Sequence, residues 1–447
     1  ARVDYNLSDK TSFFISYQYG QDAAPSQGNG AHIYWTPGNS IPYPGGGLIS
    51  SSFSKSIAGH FTHIFSPTLT NEFIASWGFG NFPVGPPNAS AAYKTTLGYP
   101  TSYGTIFKTG SPLIPSYSSA GGYTFPDFSQ QDIFETGGKY LVRKEMPAFS
   151  DDLTKVINTH TIKVGVYAEN VGNIQGASLS PNGNLSSFNQ GGTVHNNLFG
   201  GSPLGSPNNP TANFLMGVVN GYGENNAAPI SDMAYQTFSF YGNDSWKATR
   251  RLSIEYGVRF DHIGHWYDRQ GNGLAVFIPS LVEADYNSGK LNPGVYWHGI
   301  NPGIPKSGQP DRFLLVSPRF GLSYDIFGTG KTLIRGGWGV YRFTDQYNDY
   351  TGALTTAQSI QTYNLPSQTS VLLPQIGNIP APIVGALPGQ PGHTVNGGIN
   401  ALDPTDYGIP ESRSYNLTIS QQAPWSSLVE VAYVGSTSKE LVMGGES

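Results

Sequence analysis

The stretch from Tyr235 to Asp261, YQTFSFYGNDSWKATRRLSIEYGVRFD, limits what this chain can fold into more than any other. In its second half, Leu252, Ile254, Tyr256, Val258 and Phe260 alternate without error with Ser253, Glu255, Gly257, Arg259 and Asp261. Successive side chains of a strand point to opposite faces, so a period of two marks a strand whose faces meet different surroundings. The first half is looser, but it puts Phe238 and Phe240 on one face and Trp246 near a turn at Lys247–Arg251. The two halves form one hairpin whose arms have about ten residues each, the length a tilted strand needs to cross a bilayer.

The design recurs along the chain. Five more hairpins are expected: Val3–Leu7 with Ser12–Gly20, Phe53–Phe65 with Asn71–Gly80, Tyr140–Ile157 with Ile162–Asn170, Phe313–Phe327 with Thr332–Phe343, and Ser414–Ala423 with Leu428–Gly435. Gly, Pro, Asn, Asp and Ser fill the short turns because they tolerate or preset turn dihedrals. The arms alternate as the first hairpin does: Ile162, Val164 and Val166 oppose Lys163, Gly165 and Tyr167, and Phe320, Leu322 and Tyr324 oppose Gly321, Ser323 and Asp325. A seventh pair, Leu185–Phe188 with Gly217–Gly223, brings the expected total to about 14 strands.

The connections between hairpins are long and rich in Gly, Pro, Ser, Asn and Tyr, spanning roughly Gln21–Ser52, Asn81–Lys139, Val171–Asn184, Glu224–Met233, Ile263–Arg312 and Thr344–Arg413. Tight turns alternating with long loops place all the tight turns at one end of the sheet and the long loops at the other. Bacterial outer-membrane barrels are built this way, with short periplasmic turns and long extracellular loops. Antiparallel closure satisfies every backbone group inside lipid, whereas a soluble sandwich has no reason to keep the asymmetry. Composition agrees. Charged residues are 12% of the chain, about half the usual share, yet no apolar run reaches the roughly 18 residues of a membrane helix. The fold class is therefore all-β: an antiparallel transmembrane β-barrel.

Charge and composition also exclude partners. A formal charge of −5 without a basic cluster argues against nucleic acid. The absence of cysteine excludes disulfides and thiolate metal sites. The chain opens at Ala1-Arg2-Val3, already in a strand-like pattern, and stops at Gly445-Glu446-Ser447 as a loop would begin, so residues 1–447 are expected to be part of a longer barrel domain.

The residues also resemble a known family. FYGNDSWKATRRLSIEYGVRFDH is similar to the strand–turn–strand signature of TonB-dependent receptors, with Asn243, Asp244, Trp246, Lys247, Tyr256, Gly257 and Arg259 in its characteristic places. SPRFGLSYDIFGTGKTLIRGGWGVYRF (Ser317–Phe343), SYNLTISQQAPWSSLVEVAYVGS (Ser414–Ser436) and NPTANFLMG (Asn209–Gly217) resemble the Oar-like branch. The match covers the second half well and the first half mainly in hairpin rhythm. The resemblance implies a barrel of about 22 strands with an N-terminal plug, in which substrate binds at the extracellular loops and crosses the outer membrane after energised coupling to the TonB complex. This chain shows no plug, no TonB box and no final strand ending in an aromatic residue, so coupling to TonB would run through a region absent here. A passive porin or adhesion barrel, or a secreted carbohydrate-binding β protein, are the alternatives.

Few of the residues suit covalent or metal chemistry. Gly328-Thr329-Gly330-Lys331-Thr332 imitates the end of a phosphate-binding loop, but Asp325 stands where that loop needs Gly, and strands flank it on both sides. His60 with His63, and His262 with His265, fall on opposite strand faces and suit no shared metal. Asp151-Asp152 is read as solvated in the lumen, and no nucleophile constellation emerges, so neither an enzyme nor a cofactor is expected. Aromatic faces among Asn, Ser and Gly suit sugars or peptides. Trp35, Tyr43, Trp266, Tyr267, Trp297, Tyr347 and Tyr350 are the candidate ligand contacts, with packing of the loops on themselves as the alternative. Trp77, Trp246, Trp338 and Trp425 lie nearer strand ends and suit the interfacial girdle.

Overall fold

The computed structural model describes residues 1–24, 49–85, 90, 93–100, 103–117, 140–176, 181–187, 217–219, 221–227, 230–290, 292–358, 360–365, 371–381 and 399–441. Twelve strands form one continuous antiparallel sheet in chain order. They are β1 (Arg2–Ser8), β2 (Thr11–Ala24), β3 (Ile49–Ser66), β4 (Leu69–Gly85), β5 (Tyr140–Ile157), β6 (His160–Gly176), β7 (Ile230–Lys247), β8 (Leu252–Ile263), β9 (Leu315–Asp325), β10 (Thr332–Arg342), β11 (Glu411–Ala423) and β12 (Ser427–Lys439). All six expected hairpins are present, and every tight turn lies at the same end. Several strands are longer than the alternation alone marks. β3, β5 and β7 have 18 residues each, against roughly 9–11 for a transmembrane strand, so they rise past the bilayer toward the long loops.

The register fixes the two faces, because directly paired residues point to the same side. Tyr5, Phe13, Phe61 and Phe73 form one cross-strand row, and Val166, Phe240, Phe260 and Val316 another. Phe320, Trp338 and Tyr415 form a third. These aromatic and aliphatic side chains are largely exposed and make the outer, lipid-facing wall. The intervening positions carry Glu72, Asp152, Lys163, Glu169, Tyr241, Arg259, Asp261 and Arg319 and make the inner wall. No helix among the described residues is long and apolar enough to cross a membrane; the chain crosses with strands.

The apolar core lies in the loops. One buried cluster joins Val171 and Met233 at the strand tops to Trp266, Leu274, Val295, Tyr347, Tyr350 and Leu354. A second joins Ile106, Leu185, Val219, Tyr222, Tyr363 and Ile376. Two short helices, α1 (Val282–Asn287) and α2 (Thr351–Ala357), belong to this layer.

The expected seventh hairpin is a correction. Asn184–Ser187 does pair with Gly221–Asn225, but in a separate four-stranded sheet with Thr362–Asn364 and Ser116–Tyr117. Its Leu185 and Tyr222 are buried in the loop core rather than facing lipid. Four-residue and five-residue strands are too short to span, and the barrel sheet passes directly from β6 to β7. The segment Thr211–Met216 lies outside the described residues. A second correction concerns Asp151-Asp152. The two side chains diverge: Asp152 faces inward, but Asp151 faces outward, where Asn71 Nδ2 donates to it at 2.6 Å.

Candidate functional site: the inner wall and the loop layer above it

The strand register brings chemistry-bearing side chains together on the inner wall. Asp152, Gly165, Tyr241, Arg259 and Ser317 are successive cross-strand partners on β5 to β9. The Tyr241 hydroxyl donates to Asp152, whose other oxygen meets Lys163 Nζ at 2.9 Å. Gly165 lies between them, where a Cβ would collide with both the carboxylate and the tyrosine ring. One step higher, Asp261 accepts from Arg259 Nε and from Ser239 Oγ at 2.6 Å each, and from Ser317 Oγ at 3.2 Å. The Arg259 guanidinium lies 5.6 Å from the Tyr167 ring and 5.7 Å from the Tyr241 ring.

Next to this network the wall is bare. Gly257, Gly321, Gly337 and Gly339 all face inward on β8 to β10, and a recess of about 650 Å³ opens over them. Tyr241, Glu255, Arg259, Arg319, Tyr341 and Asn416 rim it. Arg319 stacks on Tyr341 at 4.7 Å, and among the described residues it has no carboxylate partner. A recess of about 380 Å³ continues it upward past Tyr167, Glu169 and Tyr235. Charged and aromatic groups around a glycine floor suit a polar or amphipathic solute.

Above the wall the loop layer is folded and hydrogen-bonded. Trp266 Nε1 donates to the Asp345 carbonyl at 2.9 Å, and its ring packs on Tyr235 and Tyr347 at 4.8 and 5.6 Å. The Tyr350 hydroxyl donates to Asp345 Oδ2 at 2.7 Å, and His265 Nδ1 lies 4.0 Å from the same oxygen. Burial holds the His265 imidazole below its ordinary value, despite Asp311, Asp345 and Asp406 nearby. Burial also pushes the Asp345 carboxyl up, and the Tyr347 phenol up to about 12. On the other side of the layer Glu224 is fully buried and accepts from the Ile106 and Phe107 amides at 2.7 and 2.9 Å and from the Tyr222 hydroxyl at 2.6 Å. Burial raises this carboxyl too, against the pull of those three donors.

The sequence candidates distribute unevenly. Trp266, Tyr347 and Tyr350 are inside the loop core, where they pack the loops on themselves. Trp297 packs against that core half-buried. Tyr267 is half-buried, pairing with Ala234 at the top of β7. Trp35 and Tyr43 lie outside the described residues. Trp77 and Trp338 are exposed on the outer wall, Trp425 protrudes at the β11–β12 turn, and Trp246 stacks on His160 at 5.4 Å beside the β7–β8 turn. The Gly328–Thr332 segment is a hairpin turn: Asp325 accepts from the Gly328 and Gly330 amides at 2.9 and 2.7 Å. His60 and His63 fall on opposite faces, and among the described residues no three His, Asp or Glu side chains are grouped as a metal ion would require. Sequence reasoning did not single out Arg319, Tyr341 and the glycine floor. Their signal was the polar half of each alternating stripe, Gly-x-Arg in β8 and Arg-x-Gly in β9.

The model of a known family, described as an outer membrane beta barrel domain, matches residues 1–446. The chain belongs to this family. The outer-membrane β-barrel domain accordingly resides in the bacterial outer membrane, with its apolar wall against lipid and its loop layer on the extracellular side. No curated protein sequence matches it. Among solved structures it is similar to the outer membrane transporter YddB from Escherichia coli, at 10% identity and a TM-score of 0.48, over 97% of this chain and 38% of that one. It is similar to the ferric-catecholate import receptor Fiu from E. coli K12, at 13% identity and 0.42, over 100% and 51%. It is also similar to the ferripyoverdine receptor of Pseudomonas aeruginosa, at 9% and 0.45, over 98% and 41%. The chain thus spans about two-fifths to one-half the length of these transporters and receptors.

Proposed function

We propose that this outer-membrane barrel domain is part of a TonB-dependent receptor of the Oar-like branch. It binds a substrate at its extracellular loops and passes it across the outer membrane. The supporting observation is the folded loop layer set over a polar, glycine-floored inner wall. A barrel that only anchors or adheres has no need of a recess rimmed by Arg259, Arg319, Glu255 and two tyrosines. The substrate is read as a carbohydrate or a peptide, from the aromatic and amide groups of the loops. Tyr267 and Trp297 are the half-buried members of the candidate aromatic set, and Trp35 and Tyr43 extend it; Trp266, Tyr347 and Tyr350 act by holding the loops. In this reading the domain does no covalent chemistry, and coupling to the TonB complex runs through a region outside this chain.

The test is uptake of fluorescent peptides and oligosaccharides by cells carrying the intact receptor, with and without a protonophore. Uptake that stops when the proton gradient is collapsed supports energised transport. Uptake that continues unchanged assigns a passive porin, and binding without uptake assigns an adhesion barrel.

A further inference from the structure

We propose that the glycine-floored recess takes a short peptide with both ends free, its terminal carboxylate on Arg319 and its terminal ammonium on Glu255. The inference names the substrate class within the transport reading and rests on that reading.

The register shows how the two groups are presented. Arg319 on β9 is the direct cross-strand partner of Gly257 on β8 and of Gly339 on β10. Glu255 faces Gly321, Gly321 faces Gly337, and Gly337 faces Asn416. Glu255 and Arg319 are both exposed, and Arg319 has no side chain directly beside it on either neighbouring strand. The floor around them is backbone, which an extended chain can approach closely.

Elsewhere on this wall opposite charges close on each other, Lys163 on Asp152 at 2.9 Å and Arg259 on Asp261 at 2.6 Å. Glu255 and Arg319 sit on adjacent strands one step apart, yet among the described residues neither makes an ion pair. Tyr341 keeps them separate. Arg319 stacks on its ring at 4.7 Å. Tyr341 lies one step nearer the loops than Gly339, whereas Glu255 lies one step nearer the tight turns than Gly257, so the stack draws the guanidinium away from the carboxylate. Gly339 permits the stack: a Cβ there would come within 3.2 Å of the Tyr341 ring and 3.3 Å of Arg319 Cγ.

An anion and a cation held apart on a bare floor match a solute that carries both charges. A neutral sugar uses neither group, a polyanion meets Glu255, and a polycation meets Arg319. A peptide with free ends pairs each group with its opposite, and the guanidinium fork suits a carboxylate bidentately. Asn416 and Tyr341 rim the same recess and offer hydrogen bonds to the amide between the ends. The recess volume, about 650 Å³, falls within the roughly 300–1,000 Å³ of small-ligand sites.

The test is equilibrium dialysis of the intact receptor in neutral detergent against isotope-labelled tripeptides of randomised sequence. Four pools are compared: both ends free, N-acetylated, C-amidated, and blocked at both ends. The free pool is expected to bind about tenfold or more tighter than either singly blocked pool, since each block removes one charge-assisted contact. R319Q is expected to lose the sensitivity to amidation and keep that to acetylation, and E255Q the reverse. A merely structural role of either residue would not separate the two ends. Equal binding of all four pools, or of none, by the unaltered protein overturns the proposal, and that comparison needs no variant to fold. An R319Q protein that still discriminates against the amide overturns it too. Uptake by cells separates the site from the transport reading. Free and blocked peptides that enter alike, and only with a proton gradient, keep that reading and overturn this one; end-selective binding without uptake keeps this site and overturns transport.

Discussion

At Gly165 a Cβ would collide with the Asp152 carboxylate and the Tyr241 ring, and no rotation of the new side chain removes that clash. Gly165→Val is therefore expected to destabilise the barrel by about 1–3 kcal/mol in a denaturant titration, the usual range for overpacking. Gly59→Val is the control. That residue shares the outer wall with Phe61 and has nothing within 4 Å of its Cβ position, so the change should stay within about 0.5 kcal/mol. His265 gives a pH prediction. Its imidazole is held by burial below the ordinary value near 6.5, so between that value and its folded value only the unfolded loops take up the proton. Loop-layer stability is then lost as the pH falls below about 6.5. Asp345, raised by burial, has the opposite sign, between 3.8 and its folded value. His265→Gln should flatten the first part of the profile, read as protease resistance of the loops from pH 7 to 5 on the full receptor.

Single strands decide their faces residue by residue, and β11 offers a direct comparison. Leu417 lies midway along it on the outer wall, and Asn416 is its inward-facing neighbour. Leu417→Arg should cost roughly 2–4 kcal/mol in lipid, the cost of a cation at mid-bilayer, while Asn416→Arg should cost under about 1 kcal/mol because it enters the aqueous lumen. Folding titrations into lipid vesicles would measure both, and equal costs would refute the face assignment. In the loop layer Glu224 ties the segment carrying Ile106 and Phe107 to the small sheet through two amides. Glu224→Ala leaves those donors buried and unpaired, and local opening should become easier by roughly 2–3 kcal/mol. Hydrogen exchange at the Ile106 and Phe107 amides would report it, with strand amides of β8 unchanged.

As a whole molecule, the sheet is open at β1 and β12, each paired on one side only among the described residues. Unpaired edges template association, so the isolated 447-residue chain should self-associate in detergent in a concentration-dependent way. Size-exclusion chromatography over a dilution series would show it, and a constant monomer would count against free edges. The outer wall and the loop layer divide the work of the fold. The wall is held by backbone ladders and lipid, with its large apolar side chains exposed, whereas the loops bury Trp266, Leu185 and Leu354 in cores of their own.

The alternation of Leu252–Asp261 and its five counterparts settled the strands, their faces and the one-ended loops from sequence alone, because a period of two is a local property that each strand carries by itself. Polar residues such as Glu255 and Arg259 were assigned to a face by the same rule. Which of them meet was decided only by register: Asp152 and Gly165 come from one hairpin and Tyr241 from the next, and Arg342 meets Glu411 only across a long loop. The fates of Trp266, Tyr347 and Tyr350, and the removal of Asn184–Ser187 from the barrel, were likewise tertiary outcomes. Loop contacts join residues far apart in the chain, and no local periodicity encodes which apolar side chain finds which partner.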